Sequence, residues 1–385
     1  MVRLVSAVAA GLFGLATVVA GHPGHDVQAE AAERAAFLRN APIHARSLDL
    51  CAAKLKARGH ERRSVARRET AVKKLRQRRG LQTNARFLKA RDLSSTLNTS
   101  HHSNLTNVSP STDPHVLFGS EATCILGPDV TQGPYYVSGE LIRENVVESQ
   151  EGVPLYMDIQ LINTKTCEPL PDIFMDFWHC NSTGVYSGVV ANGNGNSDDE
   201  KNLDSTFLRG VQPSDRDGVV HFESIFPGHY TGRATHIHVL THPKNETKVL
   251  GNDTITGLYT SRSSHVGQLF FDQDLISEVE KVEPYSSNTQ ELTTNAKDSI
   301  LAEEADTIDP FMEYVYLGDK VSDGLFAWIS VGIDPSKDTE VTPAAYYTEE
   351  GGVENENSGM GMGGPPPGAS GASSSGAARA TRRAV

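Results

Sequence analysis

Two histidines that stand two positions apart offer the clearest chemistry in this 385-residue chain. His236 and His238 lie in an apolar run that predicts a β-strand. Side chains at alternate positions of a strand point to the same face, so the two imidazoles can bind one metal ion. Taken alone, such a pair is more often structural. Tyr230 and Arg233 precede it across a glycine-containing turn, and this concentration of polar chemistry indicates a metal or catalytic site.

A second group of residues lies about fifty positions upstream, where Trp178-His179 leads through a turn to Tyr186-Ser187. Earlier still comes Gly-Pro-Tyr-Tyr, which ends at Tyr136. In this order the three pieces resemble the intradiol ring-cleavage dioxygenases. Members of that family read Gly-Pro-x-Tyr, Trp-His-x-x-x-x-Gly-x-Tyr-Ser, Pro-x-x-Tyr and Arg-x-x-His-x-His. The resemblance covers about residues 120–275. The whole chain looks similar to the secreted fungal branch of the family rather than to the cytosolic bacterial catechol dioxygenases.

The resemblance implies a mononuclear, non-haem Fe(III) centre held by Tyr186, Tyr230, His236 and His238. Ferric iron is a hard cation that favours anionic oxygen donors, and phenolates supply them. Tyr230 is also implied to take a proton from a catechol-type substrate, and Arg233 to stabilise the developing negative charge. With O₂ the expected product is a cis,cis-muconate-type diacid.

Three further residues receive roles by the same resemblance. Gln268 follows on the next predicted strand and matches a catalytic glutamine, although an insertion separates it from His238. Tyr135 and Tyr136 could line the substrate pocket, and a packing role is the alternative. By contrast, His179 is predicted to be a structural, hydrogen-bonded histidine.

The fold class follows from the many short, alternating runs that begin near residue 120. Such runs, separated by turn residues, predict a mostly β protein with a β-sandwich or barrel core, here assigned to residues 120–340. Residues 93–119 are predicted to be a glycosylated linker. Residues 341–385 are rich in Gly, Ser and Pro and are predicted to be a disordered tail.

Residues 21–92 are predicted to form a helical basic arm. Residues 51–92 contain 15 Lys and Arg against 3 Asp and Glu, although the net charge of the whole chain is −13. Recurrent dibasic pairs leave two interpretations open, namely a removable pro-region or a solvated arm that mediates homodimer formation. The acidic remainder of the chain argues against nucleic acid as a partner.

Residues 1–20 have the charged start, apolar run and small-residue end of a secretory signal, so export is expected. The run is too short for a comfortable membrane span. Glycosylation sequons support the same route. They fall at Asn98, Asn104, Asn107, Asn181, Asn245 and Asn252.

The chain has four cysteines, Cys51, Cys124, Cys167 and Cys180, which permit two disulfides in three connectivities or a buried free thiol.

Two classes of function compete. The first is an extracellular iron dioxygenase that acts on a small aromatic diol and O₂. The second is a secreted β-sandwich binding or surface protein that keeps the fold without turnover. The presence of all four ligand positions and Arg233 favours the enzyme.

Overall fold

The computed structural model describes residues 48–83, 123–125, 135–191, 194–195, 199–242, 247–255, 262–305, 309–337 and 339–356. The strands are β1 (Thr123–Ile125), β2 (Val137–Ser138), β3 (Pro154–Asn163), β4 (Phe174–Trp178), β5 (Arg209–Pro213), β6 (Val219–Ile225), β7 (His236–His242), β8 (Arg262–Ser263), β9 (His265–Phe270), β10 (Glu313–Tyr316), β11 (Leu325–Ile333), β12 (Thr339–Glu340), β13 (Ala345–Thr348) and β14 (Gly351–Glu354). The α-helices are α1 (Ala52–Ala57), α2 (His60–Arg78), α3 (Gln273–Val279) and α4 (Ser299–Ala305). Short 3₁₀ turns lie at Asp49–Cys51, Glu200–Asp204, Tyr285–Ser287, Asn295–Lys297 and Val321–Asp323. The predicted mostly β class is confirmed.

Two sheets pack face to face and form the predicted sandwich. The first sheet has the order β1-β11-β3-β6, and β10 also pairs with β11. The second is antiparallel, in the order β5-β4-β7-β9. Apolar side chains of both sheets share one buried cluster, in which the rings of Phe177 and Phe222 stack at 4.4 Å.

Strand alternation sends every second residue of the second sheet away from this core. Ile237 and Val239 of β7 lie in the core cluster, so His236 and His238 project from the opposite face. On β4 the same alternation sends Phe177 inward and Trp178 outward. The outer face of the second sheet therefore carries the candidate metal ligands His236 and His238, together with Trp178.

Helix α2 covers the outer face of the first sheet. Val65, Val72 and Leu75 pack against a cluster that contains Phe326 and Trp328 of β11. The disulfide Cys51–Cys167 ties the chain before α1 to the loop after β3. Within residues 48–83, the predicted basic segment is therefore a packed element of the domain and not a solvated arm.

Polar contacts reinforce this packing. Arg67 makes two hydrogen bonds to the buried carboxylate of Asp158, at 2.7 and 2.9 Å, and Arg68 lies 3.4 Å from it. Arg76 is also buried and donates to the carbonyl of Leu317 at 2.8 Å. The positive charges of α2 thus face two ways, toward the sheet and toward solvent.

The predicted disordered tail begins too early at residue 341. Strands β13 and β14 form a hairpin, and β13 pairs in parallel with β2. Ala344 and Ala345 are buried in the cluster that also holds Tyr135, so this segment has an apolar reason to fold. The composition of residues 341–356 alone does not indicate that these alanines are buried.

Several predictions lie outside the described residues, namely the signal sequence, the linker, the distal tail and the sequons at Asn98, Asn104, Asn107 and Asn245. None of the helices in the described ranges combines the length and apolarity needed to cross a bilayer.

Candidate metal centre

Tyr186, Tyr230, His236 and His238 meet on the outer face of the second sheet, and all four are buried. His236 Nε2 lies 2.9 Å from His238 Nε2 and 3.3 Å from Tyr230 Oη. The Tyr186 ring centroid lies 5.6 Å from that of Tyr230 and 6.2 Å from that of His238. Two phenols and two imidazoles from three separate segments thus share one small volume.

The centre of the sheet positions His238. Its neighbours across the strands are Trp178 on β4 and Gln268 on β9. The Trp178 ring stacks on the imidazole, with centroids 4.9 Å apart and an interplanar angle of 5°. These contacts fix the ring plane of His238 and place Gln268 beside it, despite the long insertion between their strands.

A tight turn sets Tyr230 next to Arg233. The two residues form an isolated antiparallel bridge, and Gly232 between them has a φ of 95°, a value that favours glycine. The Gly232 amide donates to the hydroxyl of Thr293 at 2.9 Å, which anchors the turn from outside. The turn therefore presents the phenol and the guanidinium together.

Side-chain amides hold the loop that carries Tyr186. Asn194 accepts a hydrogen bond from the Tyr186 amide and donates to its carbonyl, both at 2.8 Å. Asn202 donates to the same carbonyl at 2.8 Å, and the buried Arg209 donates to the carbonyl of Ser187 at 2.7 Å. These contacts satisfy the backbone where no strand can do so.

The tautomer of His236 is set by its neighbour. Its Nδ1 lies 2.6 Å from the carbonyl oxygen of Ala234, which can only accept, so Nδ1 carries the proton. In a neutral ring Nε2 is then unprotonated, and its lone pair points toward Tyr230 and His238. A backbone carbonyl that orients an imidazole in this way is typical of metal-binding histidines.

The two phenols sit in an environment that opposes their ionisation. Burial raises the pKa of Tyr186 well above its usual value, and the neighbouring Tyr230 raises it further. Burial also raises the pKa of Tyr230, although the positive charge of Arg233 works in the opposite direction. A multiply charged cation would offset this cost and make both groups anionic ligands.

The donor set fits ferric iron. The Tyr186 hydroxyl is buried and makes no hydrogen bond of normal geometry within the part of the chain that is described. Those residues also contain no group of three His, Cys, Asp or Glu side chains arranged for a metal, so a metal here depends on the phenols. Two phenol oxygens and two imidazole nitrogens suit a hard trivalent cation.

Arg233 is held at two nitrogens of its guanidinium. Its Nε donates to Asp298 at 2.9 Å, and one terminal nitrogen donates to Oε1 of Gln268. The Nε2 of Gln268 is buried and has no hydrogen-bond partner among the described residues. A guanidinium and an unused amide donor thus lie beside the four clustered side chains.

Tyr135 and Tyr136, the two predicted substrate-lining tyrosines, have different surroundings. The Tyr135 ring lies 4.8 Å from that of Tyr186, and its hydroxyl is buried with no partner in the described ranges. Tyr136 instead packs against Trp178, at 5.4 Å between centroids, and against His242 at 6.4 Å. The geometry supports a lining role for Tyr135 and a packing role for Tyr136.

The neighbouring histidines point elsewhere. His179 lies 2.7 Å from both the carbonyl of Cys180 and the hydroxyl of Ser224, and burial lowers its pKa to about 4. His229 contacts the carboxylate of Glu280 at 2.8 Å and the carbonyl of Gln290 at 3.0 Å. Both are therefore hydrogen-bonded structural residues.

Asp298 and Arg209 contact this region but were not predicted from the sequence. Each is buried, and each acts on a residue distant along the chain. Asp298 lies between two short helical segments and Arg209 is the first residue of β5, so neither charge falls in a periodic pattern that would mark it in the sequence.

Residues 125–251 match a protein-family model described as Dioxygenase. This region contains Tyr186, Tyr230, Arg233, His236 and His238. The predicted resemblance of the chain to the intradiol ring-cleavage dioxygenases is thereby confirmed.

Similar solved structures include an intradiol ring-cleavage dioxygenase from Tetranychus urticae, with 27% identity, coverage of 56% of this chain and 96% of that chain, and a TM-score of 0.44. The dioxygenase domain of a carbohydrate-binding protein fusion from Streptomyces sp. SirexAA-E has 22% identity, coverage of 56% and 98%, and a TM-score of 0.30. Catechol 1,2-dioxygenase from Acinetobacter sp. ADP1 has 16% identity, coverage of 58% and 64%, and a TM-score of 0.33. No curated protein sequence matches the chain.

Proposed function

We propose that this protein is a non-haem Fe(III) dioxygenase that cleaves catechol-type rings between their two hydroxyl-bearing carbons. The observation that carries the proposal is the meeting of two phenols and two imidazoles beside a fixed guanidinium. Tyr186, Tyr230, His236 and His238 would hold the iron, with the tautomer of His236 already set for binding. When bound, the iron activates a chelated catechol for reaction with O₂.

The chain itself supplies the proton chemistry. In the site without metal, burial raises the pKa of Tyr230, so its neutral form is favoured wherever no cation holds the phenolate. Its phenolate can therefore accept a proton from a substrate hydroxyl at Oη. The four clustered side chains are at most 3% exposed, so competing water is excluded from this transfer.

Arg233 and Gln268 provide positive potential where negative charge develops on the substrate. A guanidinium held in place in a buried site needs no reorganisation during the reaction. The Nε2 of Gln268, which has no hydrogen-bond partner among the described residues, offers an additional hydrogen bond. We assign stabilisation of the charged transition state to this pair.

Export of the protein and a muconate-type product belong to the same proposal. Among the sequons in the described ranges, Asn252 is exposed, whereas the side-chain oxygen of Asn181 accepts hydrogen bonds from Thr183 and Val185. The Asn181 amide nitrogen donates to Gln150 at 3.1 Å. A glycan is therefore expected at Asn252 and not at Asn181, and mass spectrometry of peptides from secreted protein would test both positions.

The test begins with iron content and colour. Purified protein loaded with Fe(III) should show tyrosinate-to-iron charge transfer and consume O₂ with catechol, protocatechuate or hydroxyquinol. Tyr186→Phe and His236→Ala should each lose iron or its visible band. Tyr314→Phe is the matched control, because Tyr314 is a buried tyrosine of the first sheet. A folded protein that binds no iron would instead favour the binding-protein alternative.

A further inference from the structure

Asp298 is a buried carboxylate that contacts the side chain proposed to stabilise charge. Both Asp298 and Arg233 have fully buried side chains. Its Oδ2 accepts hydrogen bonds from Arg233 Nε at 2.9 Å and from the Ala234 amide at 2.8 Å. One carboxylate oxygen of Asp298 thus accepts hydrogen bonds from both the Arg233 guanidinium and the backbone just before β7.

The second carboxylate oxygen is held equally firmly. Oδ1 accepts from the amides of Ile300 at 2.9 Å and Leu301 at 3.1 Å, at the first turn of α4. Leu301 itself packs in an apolar cluster with Ala234 and Phe270. Asp298 is therefore anchored by four N–H donors and cannot move without breaking the start of α4.

The guanidinium is consequently held at two of its nitrogens. Asp298 accepts from Nε, and Gln268 accepts from a terminal nitrogen. Because the guanidinium is planar, contacts at two of its nitrogens fix both its position and its plane. Gln268 is the cross-strand neighbour of His238, so the plane of the Arg233 guanidinium is set relative to β7.

We propose that Asp298 is a positioning residue that fixes Arg233 for the reaction. This inference rests on the proposed dioxygenase function. Asp298 also provides a carboxylate counter-charge for the buried guanidinium, and removal of one partner of a buried ion pair is costly. The geometry requires a carboxylate because each of its oxygens faces two N–H donors.

The substitution Asp298→Asn tests the proposal with little change in volume. An amide has one accepting and one donating end, so it must turn an NH₂ group toward two N–H donors. We expect kcat to fall by about 10²-fold, the scale of a misplaced catalytic group. Iron content and the visible band should stay unchanged, because the four proposed ligands are untouched.

Asp158→Asn is the matched control, since Asp158 is also fully buried and paired with arginines but lies on the first sheet. It should lower stability while kcat per iron stays at the wild-type value. If Asp298→Asn likewise changes only stability, then the proposal is wrong.

A double-mutant cycle separates positioning from a general structural role. In an Arg233→Ala background, Asp298→Asn should reduce kcat by less than twofold further, because the guanidinium it positions is gone. A second full loss of about 10²-fold would show an action independent of Arg233.

A readout without turnover is available in metal-free protein. The Nε–H resonance of Arg233, assigned by its loss in Arg233→Lys, should exchange slowly with water in the wild type and rapidly in Asp298→Asn. Slow exchange in both proteins would contradict the proposed grip.

Two further outcomes are distinguishable. If wild-type protein binds iron but turns over no catechol, the proposed function is wrong. If the wild type turns over catechol and Asp298→Asn has the same kcat, only the positioning role of Asp298 is wrong. If Asp298→Asn fails to fold, Asp298→Glu replaces it, because the longer side chain keeps the charge but moves its oxygens away from Arg233 and α4. Retention of full kcat in Asp298→Glu would then overturn the proposal.

Discussion

Two buried arginine–aspartate contacts lie on opposite outer faces of the sandwich, and only one of them belongs to the candidate site. Asp158, on the first sheet, is bound by Arg67 and lies close to Arg68. Asp298 pairs with Arg233 beside the second sheet. Both carboxylates are fully buried, so burial and charge do not distinguish the two contacts.

What differs is the state of the neighbouring polar atoms. Around Asp158 the carboxylate is shared by Arg67, Arg68 and His221, and the result is a closed network that fastens α2 to the sheet. Beside Arg233, the Gln268 Nε2 and the Tyr186 hydroxyl are buried without a hydrogen bond of normal geometry in the described ranges. Buried polar atoms of this kind require an explanation, and beside Arg233 a site for a ligand supplies one. The comparison teaches that two equally buried carboxylates differ in what their arginines face, since Arg67 and Arg68 join a helix to a sheet whereas Arg233 faces the candidate site.

The largest expected effect would confirm the structural side of this comparison. Asp158→Asn should reduce the free energy of unfolding by about 3–5 kcal/mol, because the guanidiniums that face it lose their counter-charge. Denaturant-induced unfolding of the iron-loaded protein would measure this loss. Glu223→Gln, which removes a surface partner of Arg78, is the control and should cost less than about 1 kcal/mol. Equal losses in the two variants would refute the closed network.

The next effect concerns turnover at the other contact. Arg233→Ala should keep its iron and its visible band but lose about 10²–10³-fold in kcat, which is the cost of removing one preorganised electrostatic donor. Steady-state O₂ uptake, normalised to bound iron, measures the loss. Arg68→Ala removes the arginine from the structural network and should leave this normalised rate unchanged. A similar rate loss in both variants would erase the difference between the two regions.

The smallest effect is a pH dependence confined to the structural network. Burial alone would lower the pKa of His221, but its hydrogen bond to Asp158 and the negative charge of that carboxylate together outweigh burial and raise the pKa. A raised folded-state pKa means that the stabilisation is complete below about pH 6.5, the unfolded value, and is lost as the pH rises through the folded value. His221→Gln should abolish this alkaline loss. Thermal unfolding between pH 5 and 9 would show it, and identical curves for both proteins would rule it out.

The acid side of the same network has the opposite sign. Burial alone would raise the pKa of Asp158, but hydrogen bonds from Arg67 and His221 and the charge of Arg68 hold it well below its usual range. Its stabilisation is therefore present above the unfolded pKa of about 4 and is lost as the pH falls further. The Asp158→Asn protein should lack this acid-dependent loss.

Alternation of apolar and polar residues predicted the sandwich, and the resemblance to the intradiol dioxygenases implied the set of Tyr186, Tyr230, His236 and His238. Gln268 was predicted only on a strand that follows these histidines, and in the structure that strand, β9, pairs with β7. The position of Asp298 could not be predicted, since 65 residues separate it from Arg233 and only the folded chain brings them together.

Two structural errors have a common cause. The basic composition of the N-terminal segment left a pro-region and a solvated arm as open interpretations, and the second is wrong because Arg68 and Arg76 are buried. The composition of the C-terminal segment indicated disorder, yet Ala345 pairs with Val137. Composition reports only the average preference of a segment for solvent or for order. The partners that bury these segments, Asp158 for helix α2 and strand β2 for β13, come from distant parts of the chain.

The C-terminal hairpin has a consequence for the order of events in the cell. Ala344 and Ala345 pack in the cluster with Tyr135, Tyr186 and Tyr230, and the Ala344 amide donates to the carbonyl of Tyr136 at 2.7 Å. Because a ribosome makes the chain from its N-terminus, Tyr186 and Tyr230 are synthesised long before Ala344 and Ala345. The apolar cluster around the two phenols therefore cannot be complete until the chain has been made through β13.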